Sequence, residues 1–109
     1  TDMSGEDWTS VTSDISQFAE TDGERELAGW IAEKRVFEGK RMPLRNAKFS
    51  VPGNPDTLEC DYCWSDQQIM YFASGQEDAM NAAMKNGVKC IYGPNGLSED
   101  NKKIIKGMK

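Results

Sequence analysis

From Leu58 to Trp64 apolar and polar residues alternate, whereas on both sides of this segment apolar residues return every three or four positions. A period of two belongs to a strand with one buried face, and a period near 3.6 to a helix with one buried stripe. The chain must therefore lay helices against a sheet. Within the alternating segment Leu58, Cys60, Tyr62 and Trp64 share one face, and Glu59, Asp61 and Cys63 share the other. On a regular strand Cys60 and Cys63 then project to opposite sides.

Two helices are expected before this strand. Residues 4–20 carry Trp8, Val11, Ile15 and Phe18 on one face, behind a Ser4-x-x-Asp7 capping pattern. Thr21-Asp22-Gly23-Glu24 is a capping box, in which Thr21 accepts from the backbone N–H of Glu24 and Glu24 reaches back. It starts a second helix over about 22–38, with Leu27, Trp30, Ile31, Lys34 and Phe37 as its stripe and Gly39 as its left-handed stop. Gly29, costly in a helix interior, suggests a close helix crossing. Lys40, Arg41, Arg45 and Lys48 follow around Pro43 with no acid among them. They read as a basic loop that faces solvent, answers the acidic helices or contacts a partner.

A short strand is expected to end at Phe49-Ser50-Val51, ahead of the turn Pro52-Gly53-Asn54-Pro55-Asp56. Residues 67–73 read as a strand antiparallel to 57–64. Ser74-Gly75-Gln76-Glu77 is a second capping box, opening a helix to about Asn86 with Ala79, Met80, Ala83 and Met84 inward. Residues 88–92 form a last strand, Gly93-Pro94-Asn95-Gly96 a turn, and Ser98 caps a final helix carrying Ile104 and Ile105. The expected architecture is α+β, a single domain over 1–109: two N-terminal helices, then a small, mainly antiparallel sheet with two further helices, in the order α-α-β-β-β-α-β-α.

Charge divides the chain. Residues 1–39 hold ten acids against three bases, a net −7, and the remainder is +2, for −5 overall. An acidic front on a near-neutral body does not suit nucleic-acid binding, which wants a clustered basic face. It offers either a solvated helical surface or a contact for a basic partner. No run approaches the roughly 20 apolar residues that span a bilayer. A chain starting on Thr1 fits a processed, secreted form better than a cytoplasmic one.

There is no histidine, so the usual general base and the usual non-thiolate metal ligand are missing. Cys60, Cys63 and Cys90 are the residues with the most obvious site chemistry. They allow four readings: a zinc site short of its fourth Cys or His ligand, a redox dithiol, a disulfide from Cys90 to Cys60 or Cys63, or reduced cysteines acting as small hydrophobes. Strand alternation speaks against the first two. Phosphate-loop, dinucleotide and nucleophile-elbow motifs are absent. A carboxylate hydrolase would require a deep pocket with two facing acids.

These features point to a small soluble protein without cofactor that binds another macromolecule, as an effector, inhibitor or accessory subunit. Its candidate contacts are Arg41 and Arg45 in the basic loop and Trp64, should that indole be exposed at its strand's end. The alternative is a thiol or zinc protein using Cys60, Cys63 and Cys90. The oligomeric state is left open.

Overall fold

The computed structural model describes the backbone of residues 5–37 and 43–108 and the side chains of 11–37 and 43–108. Trp8's side chain, Gly39 and Arg41, each singled out above, lie outside the described residues. Helices α1 (Gly5–Gln17) and α2 (Asp22–Lys34) are followed by strands β1 (Leu44–Phe49), β2 (Leu58–Trp64) and β3 (Ile69–Phe72). Helix α3 (Glu77–Lys85), strand β4 (Lys89–Tyr92), a 3-10 turn at Gly93–Asn95 and helix α4 (Glu99–Lys106) complete the expected order. The sheet runs β1-β2-β3-β4, with the first two pairings antiparallel and β3–β4 parallel, so it is mixed.

The sheet is covered on both sides. Against one face, Val11 and Ile15 of α1, Leu27, Ala28 and Ile31 of α2 and Ile105 of α4 pack on Tyr62, Trp64, Tyr71 and Ile91. Against the other, Ala79, Met80 and Ala83 of α3 pack on Cys60, Cys63, Phe72 and Cys90. Each large apolar side chain buried this way contributes about 1.5–3 kcal/mol. The cover from α3 explains why Cys63, assigned to the polar face of its strand, is buried.

Local signals set several boundaries. The Thr21–Glu24 capping box forms as read. Ser98 caps α4 by accepting from Asn101 N–H at 3.2 Å. The second capping box does not form. Ser74 N–H is drawn to Glu24 instead, Gln76 takes the N-cap position, and Glu77 accepts from Gly75 N–H. α2 ends at Lys34, short of the expected 38, because Arg35 turns left-handed (φ 49°) and donates its N–H to Ile31 O. Lys34 and Met84, both placed on inner stripes, are exposed. Phe18 falls beyond the last turn of α1 and is 71 % exposed. Gly29 faces open space, so no helix crossing requires it.

The 40–48 segment is not wholly a loop, since β1 begins at Leu44 and takes in Arg45 and Lys48. It is an edge strand, and edge strands carry charge without cost because little of them is buried. The opposite edge is closed by a side chain. The amide of Asn101, itself buried, accepts from Tyr92 N–H at 3.2 Å and donates to Tyr92 O at 2.8 Å, standing in for a neighbouring strand.

Candidate functional site: an acid-lined cleft over the sheet

One departure from regular strand geometry builds the site. In the β1–β2 register Arg45 pairs with Tyr62 and Ala47 with Cys60, and the intervening Asn46–Asp61 pair is missing. Asn46 is left-handed there (φ 50°), a conformation asparagine tolerates better than most residues. The alternation of β2 slips at this point. Asp61 and Tyr62 both line a cleft on the α1–α2 side, while Cys60 and Cys63 both join the α3 side. The expectation that the two thiols diverge is therefore corrected: a left-handed residue on the partner strand lets two successive residues of β2 share a face.

The cleft has a volume of about 400 Å³. α1 supplies Asp14 and Phe18, the start of α2 supplies Glu24, β1 supplies Arg45, β2 supplies Asp61 and Tyr62, and Tyr71 and Ser74 come from β3 and the turn after it. Arg45 pairs with Asp14 at 2.8 Å, so this base answers the acidic helices. Tyr62 also hydrogen-bonds Asp14, and its hydroxyl is pushed up to about 12, first by burial and then by the Asp14 charge. Burial raises Tyr71 further, with Glu24 and Asp61 adding to it. The two tyrosine rings meet edge to face, with centroids 5.9 Å apart.

Glu24 is the innermost acid, 2 % exposed. Its carboxylate accepts from the backbone N–H groups of Glu20, Thr21 (3.3 Å) and Ser74 (2.9 Å), tying the α1–α2 corner to the turn after β3. The corner is tight, because a Cβ on Gly23 would run into the Pro94 carbonyl oxygen. Asp61 is treated differently. It accepts one N–H, from Ala73 at 3.1 Å, and that N–H is shared with the side-chain oxygen of Gln76. Burial holds the Asp61 carboxyl above the usual carboxylate range, against the lowering effect of the Ala73 bond, and Glu24 adds to the rise.

This arrangement is suited to holding a ligand. Glycoside-type hydrolysis needs two carboxyl groups free to act on one bond from divided protonation states. Here Asp14 is engaged by Arg45 and Tyr62, and both oxygens of Glu24 are engaged by backbone N–H groups. Asp61, half-buried, and Glu20, exposed at the rim, are the cleft acids without such engagement.

The other sequence candidates sit elsewhere. Trp64 is 2 % exposed and packs on Phe37 with centroids 5.6 Å apart, so it is a core residue and offers no anchor to a partner. The three cysteines are free thiols. Among the described residues no group of three or more His, Cys, Asp or Glu is placed to hold a metal ion. The Cys60 and Cys63 thiols lie beside each other on the α3 side and hydrogen-bond one another. Cys63 and Cys90 flank Met70 from the two strands beside β3, which sets their Cα atoms roughly 9.5 Å apart. A disulfide needs Cα atoms within about 7 Å. Burial pushes Cys60 up to about 12 and Cys90 up to about 11, the reverse of what a thiolate nucleophile requires.

Of the cleft residues, sequence reading singled out Arg45 for a partner and Glu24 only as a cap. Phe18 and Tyr62 were assigned to the core, and Asp61 only to a strand's polar face. A comparison of the chain with family models, curated proteins and solved structures returns no match.

Proposed function

We propose that this chain is a non-catalytic binding protein that engages a protein partner through the cleft between α1, α2 and the sheet. The observation that carries the reading is Phe18, a large apolar ring 71 % exposed at the wall of an acid-lined cleft about 400 Å³ in volume. An exposed aromatic residue beside a concavity is the usual make-up of a contact hot spot, in which a few residues supply most of the binding energy. The commitments of Asp14 and Glu24 to internal partners support binding over acid–base chemistry. Arg45 remains a candidate contact residue on the cleft wall, and Trp64 is not one.

The test is affinity capture from the native host, with captured proteins identified and the capture repeated for three variants. Phe18→Asp and Arg45→Glu should abolish or strongly weaken the capture. Met84→Asp should leave it intact, because Met84 is an exposed apolar residue on α3, across the sheet from the cleft. A partner retained by both cleft variants, or lost with Met84→Asp alone, would refute the assignment.

A further inference from the structure

Resting on that reading, we infer that the partner inserts a cationic side chain, lysine or arginine, into the cleft to pair with Asp61, its aliphatic stem lying along Phe18. The charges of the cleft, taken one by one, lead to this chemistry, and Glu20, exposed at the rim, keeps its hydration. Asp14 has its counter-charge in Arg45 at 2.8 Å. Glu24, almost fully buried, has three backbone N–H donors. Asp61 is half-buried, receives a single shared N–H and has no ion pair among the described residues. A carboxylate withdrawn from water with so little to replace its hydration carries a desolvation cost that an entering cation offsets.

The walls suit such a side chain. Lysine and arginine are long and apolar up to the charge, so they lie along hydrophobic surface while the head group reaches a polar end. Phe18 supplies that surface at the rim, with its ring face open to a cation as well. Tyr62 and Tyr71 flank the polar end. The charged side chains lining the cleft with Asp61 are Asp14, Glu20, Glu24 and Arg45, the last paired with Asp14, so an anionic residue of a partner would meet like charge. The cleft volume of about 400 Å³ accommodates one long side chain with ordered water.

The test uses the full chain, labelled with nitrogen-15, and three pentapeptide amides that differ only at the central residue: arginine, lysine or the neutral isostere citrulline, each flanked by leucines. The arginine or lysine peptide should shift the amide resonances of Ala73 and Ser74, whose N–H groups bond to Asp61 and Glu24. The citrulline peptide should not. Asp61→Asn keeps a carbonyl for Ala73, so the fold is retained, and it should weaken the charged peptide by about 10-fold or more. Equal shifts with citrulline, no shift with either cationic peptide at millimolar concentration, or shifts spread over the exposed acids Asp22, Glu26 and Glu33 and indifferent to Asp61→Asn would each overturn the inference. The host capture separates the two readings. A partner released by Phe18→Asp but not by Asp61→Asn leaves the cleft as the contact site and removes the cation.

Discussion

Glu24→Ala should destabilise the protein by about 3–4 kcal/mol, out of the roughly 5–15 kcal/mol that holds such a domain folded. Three losses combine. The Ser74 N–H, partly buried and bonded to Glu24 at 2.9 Å, is left without its acceptor, which costs about 1–3 kcal/mol. The reciprocal half of the capping box disappears, at about 1 kcal/mol. One buried methylene, Cγ, is removed at about 0.8 kcal/mol, partly offset because no carboxylate need be desolvated. The Glu20 and Thr21 N–H groups lie nearer the surface and recover water, so they add less. Glu24→Gln separates shape from charge. Its carbonyl can still serve Ser74, but its NH2 then meets two backbone donors at Glu20 and Thr21, and a cost of about 2 kcal/mol is expected. Urea unfolding followed by tryptophan emission, which reports on buried Trp64, measures both variants at constant m-value. A cost below about 1 kcal/mol for the alanine variant, or a glutamine variant as stable as wild type, would refute the view that this carboxylate holds the corner together.

Other consequences are equally specific. The folded-state pKa of Asp61 is raised, so its contribution is fully present below the unfolded value near 3.8 and is lost as pH rises through the folded value. Asp61→Asn should therefore match or exceed wild-type stability at pH 7 and lose that advantage below about pH 4; thermal melts across this range would contradict the assignment if the variant were the less stable at neutral pH. Gly23→Ala forces a Cβ into the Pro94 carbonyl and should cost about 1–3 kcal/mol or more, and a neutral effect would mean the α2–turn contact is looser than it looks. Cys60 and Cys90, with thiols raised to about 12 and about 11, should resist an aromatic disulfide reagent at pH 8 until denaturant is added; a fast native reaction would show that they are open to solvent.

Much of the architecture was legible because its signals are short-range. The Thr21–Glu24 and Ser98 caps, the strand over 58–64 and the turn residues at 93–96 each rest on signals within a few residues, and each appears at the expected place. The misses have a common cause. Ser74 fails as a cap because Glu24, fifty positions earlier, competes for its N–H. The first half of β1 is hidden because an edge strand has no need of an apolar pattern, and its exposed Leu44, Arg45 and Asn46 look like loop, whereas its end at Phe49 is expected. Phe18 continues the spacing of Val11 and Ile15 but falls past the end of α1, where the period no longer applies.

The amino-acid order alone determined the element sequence, the α+β class and the acidic front, since all three follow from neighbours and composition. Tertiary structure decided which face each side chain of β2 occupies, because a left-handed Asn46 on the adjoining strand shifts the pleat and no signal within β2 reveals it. It also decided that Asp14, Glu24, Arg45 and Asp61 line one cleft. Electrostatic pairing and burial depend on distance in space, and these residues are brought together by helix packing and strand register, which a linear pattern does not encode.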